Sequence, residues 1–436
     1  MGIVIVGLGP GDPRWLTRAA WESLSQAQEV YARTGEHPAL RALPPSTVVL
    51  TFDEIYERAE TFDEVYETIA QRVVRLGQRP QGVVYAVPGH PRVGEATTPR
   101  IEALARDAGI PVHIVEGVSF VDAVCNAVGI DPLNGLTVYD AMLLAREYFP
   151  TVNTDRPLLL GQLYSRDLAS DVKLTLLTAY PPDHSVMLVQ AAGTDKVAVH
   201  TLPLYELDRR DTFDHLTTLV VPPWPHPSSY ESLQEVVHHL RSPEGCPWDR
   251  QQTHQSLRRF LLEETYEVLE ALDRDDPQAL KEELGDLLLQ IALHVAIAGE
   301  GNEFLLGDVI GHHVEKLLRR HPHVFGDVEV SGAEEVLRNW EAIKRAEKAQ
   351  NGEEEAFADV PRALPALMRA AAIAKRGGWQ ATEPPGALNA GALEKLTADG
   401  FGDLLFWLAA WARARDWDAE TLLREAIERY IEESKR

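Results

Sequence analysis

Five acids stand where two stretches of helical pattern can bring them face to face. Glu263, Glu264 and Glu267 lie in Leu261-Leu262-Glu263-Glu264-Thr265-Tyr266-Glu267, and Glu283 and Asp286 in Glu282-Glu283-Leu284-Gly285-Asp286. Glu264 with Glu267, and Glu283 with Asp286, are i,i+3 pairs, neighbours at roughly 5–6 Å on a helix surface. If the two helices pack antiparallel through the short connection at 273–277, the pairs converge. Four carboxylates around one point repel each other unless a cation sits among them, and all-oxygen ligation selects Mg²⁺ or Mn²⁺. An acid-rich helix is ordinarily a solvated face, which accounts for Glu270, Glu282 and Glu263. It does not account for Glu264.

The elements that carry these acids explain why. Residues 256–272 read as a helix on which Leu257, Phe260, Leu261, Val268 and Leu272 form one apolar stripe at 100° per residue. Glu264 projects into the middle of that stripe, Glu267 lies at its edge and Glu263 on the outer flank. An unpaired carboxylate in such a place is costly, so it is expected to be paired, protonated or metal-bound. A second helix is expected over 278–298, apolar almost all round from Leu287 and therefore buried on several sides. Asp249, Thr253 and Ser256 are all suitable helix caps ahead of the first helix. Cys246 and Trp248, in Gly245-Cys246-Pro247-Trp248-Asp249, read as packing residues, because Cys246 with His254 does not make a zinc site. Downstream, Glu315-Lys316-Leu317-Leu318-Arg319-Arg320-His321-Pro322-His323 supplies positive charge. Lys316, Arg319 and Arg320 are either a basic helix end favoured by the helix dipole or a phosphate clamp. Trp340 and Lys344 offer an aromatic face and a further cation, although Trp340 taken alone reads as core.

Composition limits the partners. The chain has 436 residues and a net charge of −25, which suggests about three domain-sized units and leaves no broad basic surface for stable nucleic-acid binding. A phosphate ligand must then be met at a local site, through a metal. Cys125 and Cys246 form no CxxC pattern, which fits a reducing compartment. No apolar run is long enough for a transmembrane helix, and the opening stretch lacks the basic flank of a signal peptide. A cytoplasmic protein without a membrane partner is expected.

The first half alternates apolar β-branched runs with helical patterns. Strands are expected at 3–6, 47–51, 82–87, 112–115, 158–160, 186–190 and 219–221, with helices such as 61–77 and 98–108 between them. That alternation implies an α/β domain with a mostly parallel sheet. Three turns follow strands: Gly7-Leu8-Gly9-Pro10-Gly11-Asp12, Gly89-His90-Pro91 and Gly117-Val118-Ser119. The first lacks the spacing of the dinucleotide fingerprint. Together they line one sheet edge, where ligands of open α/β sheets bind. Val221-Pro222-Pro223-Trp224-Pro225-His226-Pro227-Ser228-Ser229, with four prolines in nine residues, reads as a stiff boundary. Beyond it the period is 3.6, with an all-helical region expected and at most a strand near 328–330.

Two resemblances follow from these motifs. The three turns resemble the tetrapyrrole methylase-like family, over roughly 1–222. That resemblance implies S-adenosylmethionine as cofactor, with Gly7, Gly9, Gly11, Gly89, His90, Gly117 and Ser119 as its binding positions. Methylases commonly carry Gly-Asp-Pro where this chain has His90, so His90 is expected to serve the turn. Glu-Glu-x-x-Glu followed by Glu-x-x-Asp, introduced by Gly-Cys-Pro-Trp-Asp and followed by Arg-Arg-His-Pro-His-Val-Phe, resembles the MazG family of all-α nucleoside triphosphate pyrophosphohydrolases. It implies Mg²⁺-dependent hydrolysis of an NTP or dNTP to monophosphate and pyrophosphate, with clearance of non-canonical nucleotides as a role, usually in a homodimer. Carried over by position, Glu264, Glu267, Glu283 and Asp286 are metal ligands and Glu263 is an accessory acid. Lys316, Arg319 and Arg320 contact phosphate, Trp340 stacks on the base and Lys344 supports it. The competing reading is an S-adenosylmethionine-dependent methyltransferase whose helical half only dimerises.

The domains expected are then 1–222, a linker at 223–230, a MazG-like domain at 231–350, and a degenerate second helical unit at 360–436. In that last unit Leu364-Pro365-Ala366-Leu367-Met368-Arg369-Ala370 matches the usual MazG opening. Gly402-Asp403-Leu404-Leu405-Phe406 echoes Gly285-Asp286-Leu287-Leu288-Leu289. Gly400 stands where the paired Glu belongs, 380–393 has no Glu-Glu-x-x-Glu, and 424–436 has no cationic clamp. This unit is expected to pack without catalysis.

Overall fold

The computed structural model describes residues 2–350, 360–379 and 397–434. Two compact units are present, Met1–Glu303 and Phe304–Arg436.

The first unit opens on strands β1 (Ile3–Gly7), β2 (Glu29–Ala32), β3 (Val48–Thr51), β4 (Val83–Val87) and β5 (Val112–Val115), with helices α1 (Arg18–Gln26), α2 (Asp53–Arg58), α3 (Phe62–Gly77) and α4 (Thr97–Asp107) between them. The strands form a sheet in the order β3-β2-β4-β1-β5, with every neighbour parallel. Alternate residues of β1 serve opposite faces, as a central strand must. Ile3 and Ile5 join Val83, Tyr85 and Val87 against Ile69 and Val73 of α3 and Ile101 of α4. Val6 and Leu8 join Val30, Ala32 and Ala86 against Ala20 and Leu24 of α1.

Helix α5 (Phe120–Val128) leads to a second sheet of β6 (Thr137–Asp140), β7 (Leu158–Gly161), β8 (Ser185–Gln190), β9 (Ala198–Pro203) and β10 (Thr217–Val221), in the order β6-β7-β10-β8-β9. Helices α6 (Ala141–Leu144) and α7 (Arg166–Leu176) pack on it. Only β6 and β7 run parallel; β10 is antiparallel to β7 and β8, and β8 to β9. The parallel expectation fails here because β8 and β9 are joined by a connection too short to hold a crossover helix. Strands β2, β6 and β9 escaped the sequence reading. They mix polar with apolar residues, so they show no continuous apolar run.

The proline-rich segment after β10 is docked on the domain. Trp224 Nε1 donates to Ala179 O at 3.2 Å, and His184 Nε2 lies 2.9 Å from Pro222 O. Asp155 accepts the backbone N–H groups of Ser228 (2.7 Å) and Ser229 (3.1 Å) and the hydroxyls of Ser228, Ser229 and Ser232. Burial acts to raise the Asp155 carboxyl, and the hydrogen bonds from Ser229, Ser232 and Ser228 outweigh it, holding the group well below the usual carboxylate range.

Helices follow: α8 (Tyr230–Arg241), α9 (Pro247–Arg250), α10 (His254–Asp273) and α11 (Pro277–Glu300). Thr253 and Ser256 form a reciprocal cap on α10. Pro277 occupies the first turn of α11, and Asp276 accepts the N–H groups of Gln278 and Ala279. Val237, Leu257, Ala292, Leu293 and Ala296 form the core that fixes α8, α10 and α11. Two expectations are corrected here. Leu272 is exposed rather than part of the buried stripe, and α11 is not buried all round, because Leu288 and Ile291 stand open on one side.

The second unit contains α12 (Leu306–Arg320), α13 (Pro322–Phe325), α14 (Ala333–Gln350), α15 (Ala366–Arg376) and the helices Ala398–Arg413 and Ala419–Ser434. Residues 328–330 form no strand. Gly400 falls in the first turn of Ala398–Arg413, and Asp403 on its exposed side, while Leu404, Trp407 and Ala410 are buried. The stretch 380–393, expected to lack the acidic motif, lies outside the described residues.

Candidate metal centre

Helices α10 and α11 meet as a hairpin closed by Arg274-Asp275-Asp276, where Asp275 takes a left-handed conformation at φ 51°. The hairpin gathers Glu264, Glu267 and Glu283, one carboxylate oxygen from each lying within 4.8 Å of the others. An octahedral ion with ligands at about 2.0–2.1 Å spans opposite oxygens about 4.2 Å apart, so the three oxygens are spaced such that they could hold a divalent ion of that kind. Glu264 and Glu283 are half-buried, Glu267 exposed. Glu264 was expected at a core position; the structure places it at the rim, where α10 faces α11. Burial first, then the charge of Asp286 and the contact with Glu267, push the Glu264 carboxyl above its ordinary value. Glu283 is raised by burial and then by Glu267 and Asp286. Two carboxyls raised above their ordinary value beside a third form a donor set that could hold a cation.

Asp286 stands outside this group of three. It is exposed, and its charge acts on both Glu264 and Glu283. Glu263 is also exposed, on the flank of α10, and its charge contributes least to raising Glu264.

In the second unit, the expected clamp is arranged around a residue that sequence reasoning missed. Glu347, on α14, accepts Arg319 Nε at 2.8 Å and binds Arg320 through Nε (3.1 Å) and Nη2 (2.5 Å). The two guanidinium groups hold the Glu347 carboxyl down at about 2, hydrogen bonding from Arg320 contributing most. Arg320 and Lys344 both lie over the Trp340 ring, 5.4 and 5.3 Å from its centre. Arg320 is thus committed to Glu347 and Trp340. Arg319 is half in solvent with its terminal nitrogens unused, and Lys316 makes no ion pair among the described residues. Glu347 lies three residues after Lys344 and seven after Trp340, a shared helix face that was the available signal.

The comparisons with known proteins bear on this arrangement. The family model for the MazG nucleotide pyrophosphohydrolase domain matches residues 252–325, and that for tetrapyrrole (corrin/porphyrin) methylases matches 2–208. The uncharacterized protein YabN of Bacillus subtilis is 41% identical over 379 residues, covering 86% of this chain and 76% of that protein. The nucleoside triphosphate pyrophosphohydrolase/pyrophosphatase MazG of Thermotoga maritima is 38% identical over 220 residues, 48% of this chain and 84% of that one. The nucleoside triphosphate pyrophosphohydrolase of Escherichia coli is 39% identical over 219 residues, 46% and 83%.

The chain belongs to the MazG family of nucleotide pyrophosphohydrolases, fused behind a tetrapyrrole methylase domain.

The MazG match contains all five acids together with Lys316, Arg319 and Arg320, and ends before Trp340, Lys344 and Glu347. The MazG hairpin carries one further pairing that the sequence did not reveal. His254 and His294 approach Nδ1 to Nδ1 at 2.7 Å with rings within 5° of parallel, and His254 Nε2 lies 3.7 Å from Glu303. This clips the start of α10 to the later turns of α11.

In the methylase domain the three turns do converge. Gly9 and Gly89 exchange backbone hydrogen bonds at 3.1 and 2.8 Å. A Cβ on Gly7 would sit 2.7 Å from Gly117 N, and one on Gly117 would overlap the Gly89 carbonyl. These glycines therefore serve close approach of turn to turn. Gly11 faces Thr194 and Gly193. Ser119 caps α5 in a reciprocal pair with Asp122. His90 accepts Arg92 N at 3.1 Å, a turn role. His37 was not anticipated: it is buried, its Nε2 lies 2.9 Å from Gly9 O, and burial pushes its imidazole down to about 4.

Among the described residues no helix is long and apolar enough to cross a membrane.

Proposed function

We propose that this chain hydrolyses nucleoside triphosphates to the monophosphate and pyrophosphate, using Mg²⁺ or Mn²⁺ held by Glu264, Glu267 and Glu283, with Asp286 as an outer acid. The observation that carries the reading is the three-carboxylate group on the α10–α11 hairpin. A bound divalent ion supplies polarisation of the phosphate oxygens and a lowered pKa for coordinated water. The chain's own residues do the rest. Water oxygen bonds to the α-phosphorus as the bond to the bridging oxygen breaks and pyrophosphate leaves. Exposed Glu267, or Glu263 beside it, accepts the proton of the attacking water. Lys316 and the open face of Arg319 carry the charge that would neutralise pyrophosphate, while Arg320, fixed by Glu347, holds the cationic group in shape. Clearance of non-canonical nucleotides is the role proposed. A pyrophosphate-release screen over canonical and modified NTPs with Mg²⁺ tests both statements. No release from any NTP, or full activity in Glu264→Ala, refutes the hydrolase reading; equal rates on canonical and modified NTPs refute the role.

We also propose a homodimer through the helical half. Leu262, Tyr266, Leu284, Leu288 and Ile291 are 40–55% exposed on the hairpin, a patch that single chains in water rarely keep. Light scattering on the full chain decides between one copy and two. For the methylase domain, S-adenosylmethionine is the proposed ligand, favoured by the convergence of the three turns at the carboxyl ends of β1, β4 and β5. Calorimetric titration with S-adenosylmethionine, repeated after changing Gly89-His90-Pro91, tests it.

A further inference from the structure

A second polar centre lies in the methylase domain, beyond the carboxyl end of β2. Arg33 follows that strand directly, and its backbone N–H extends the ladder to Ala86 O at 2.9 Å. Its Nη1 donates to Glu95 Oε2 at 2.6 Å, and the Glu95 side chain is 1% exposed. The other Glu95 oxygen accepts Thr97 N (2.9 Å) and Thr97 Oγ1 (2.5 Å). Both oxygens of Glu95 are therefore engaged, and Arg33 is bound by only one corner.

The opposite edge of the guanidinium is unused. Nε is buried with no acceptor, and Nη2 makes no hydrogen bond among the described residues. An arginine kept only to staple the fold would place its two-pronged edge on the carboxylate, since that geometry is the strong one. Here that edge is withheld, and a buried N–H without an acceptor costs free energy comparable to a lost hydrogen bond.

The surroundings suit an anion with an organic body. Tyr56, Tyr66 and Tyr85 lie close enough for their phenols to act on the charge of Arg33. Tyr85 is hydrogen-bonded to Thr97, whereas the half-buried phenols of Tyr56 and Tyr66 have no hydrogen-bond partner among the described residues. Burial pushes the Tyr56 phenol up to about 12, so it stays a donor at any ordinary pH. Phe62 stacks on Tyr66 with ring centres 6.1 Å apart and meets Tyr164 edge-on at 6.0 Å. Tyr164 comes from the end of β7, two residues after Gln162, which is held at φ 64°. Left-handed backbone at a non-glycine residue persists where the surroundings enforce it, and such positions cluster at ligand sites.

We propose that the free Nε/Nη2 edge of Arg33, with the phenols of Tyr56 and Tyr66, binds the oxyanion of a small organic ligand, a carboxylate or a phosphate ester, entering past Phe62 and Tyr164. Glu95 is a positioning residue: it fixes one corner of the guanidinium so that the other edge faces the ligand. The site is independent of the pyrophosphohydrolase reading and stands or falls separately from it.

The test uses the full chain freed of divalent ions and three probes of one shape: benzoate, phenyl phosphate and neutral benzamide, titrated by saturation-transfer NMR. At least one anion binds, and benzamide binds about tenfold more weakly or worse, as a charge-assisted site requires. Arg33→Gln combined with Glu95→Gln, which removes both charges together, weakens the anion by about tenfold or more. Phe62→Ala, at a half-exposed position where folding is not at risk, weakens it several-fold and assigns the signal to this site. Preference between benzoate and phenyl phosphate tells carboxylate from phosphate. Benzamide binding as well as the anions, no binding of either anion, or anion binding unchanged in Phe62→Ala overturns the proposal. If the double variant does not fold, Tyr66→Phe takes its place with the same criterion.

Discussion

Glu264→Gln removes one negative charge from the acid cluster with almost no change of shape, and its effect should reverse sign with Mg²⁺. Without a divalent ion, Glu264 and Glu267 repel across at most 4.8 Å. Two unit charges at that distance interact with about 0.9 kcal/mol in water and about 3.5 kcal/mol at an effective dielectric of 20. Glu267 is exposed, so the low end applies. The variant is therefore expected to be more stable than the parent by about 1 kcal/mol, a rise of about 2 °C in the thermal midpoint of a unit this large. With Mg²⁺ at about 100 times its dissociation constant the parent gains about 2.7 kcal/mol, and the variant, lacking a ligand, gains far less. The order of the two midpoints inverts. Scanning fluorimetry at fixed ionic strength, with NaCl replacing MgCl₂, isolates the specific effect from screening. Pyrophosphate release should fall about 10²- to 10³-fold in parallel, as for loss of one group that stabilises transition-state charge. A variant less stable than the parent without Mg²⁺, or one that keeps the full Mg²⁺ shift, refutes the assignment of Glu264 to a repulsive cation site.

Other expectations are open to simple tests. His37 titrates near 4 when folded against about 6.5 when unfolded, so its stabilising effect is present above pH 6.5 and lost as pH falls toward 4. Between pH 8 and 5 the loss is about 2 kcal/mol, and His37→Gln should flatten that part of the stability–pH curve of the methylase domain. Arg319→Ala should raise KM for the triphosphate by about tenfold and lower the thermal midpoint less than Arg320→Ala does, since it removes a single hydrogen bond to Glu347. Arg320→Ala should also destabilise α12 against α14 by about 1–3 kcal/mol, because it removes the paired hydrogen bonds of Nε and Nη2 to Glu347 and the contact with Trp340. A midpoint that falls equally in both would contradict the division of labour between them. Asp155→Ala should free the proline-rich segment, read as faster proteolytic cleavage within 222–229 than in the parent.

Much of the architecture was legible in the chain. The IVIVG run of β1 announced a buried parallel strand, and the 3.6 period beyond residue 230 announced helices. The prediction of one mostly parallel sheet failed for β8, β9 and β10, because strand direction is set by the length of the connections and by pairing between distant strands. The proline-rich segment was recognised as a boundary, but its docking depends on Asp155, more than seventy residues earlier. The candidate site was readable to the level of which helices carry the acids. Arg33 with Glu95, Arg320 with Glu347 and His254 with His294 were not readable, since each pair joins residues from different elements.

Sequence by itself determined the chemistry on offer: Glu264 and Glu267 on one face of one helix, Glu283 and Asp286 on the next, and glycines where turns crowd together. That follows because spacing along a helix fixes neighbours within about one turn. Which of those acids share a point was decided by tertiary structure. The burial of Leu257 against Leu293 and Ala296 packs α10 on α11, and the packed pair brings one carboxylate oxygen each of Glu264, Glu267 and Glu283 within 4.8 Å of one another, with the charge of Asp286 close enough to act on Glu264 and Glu283.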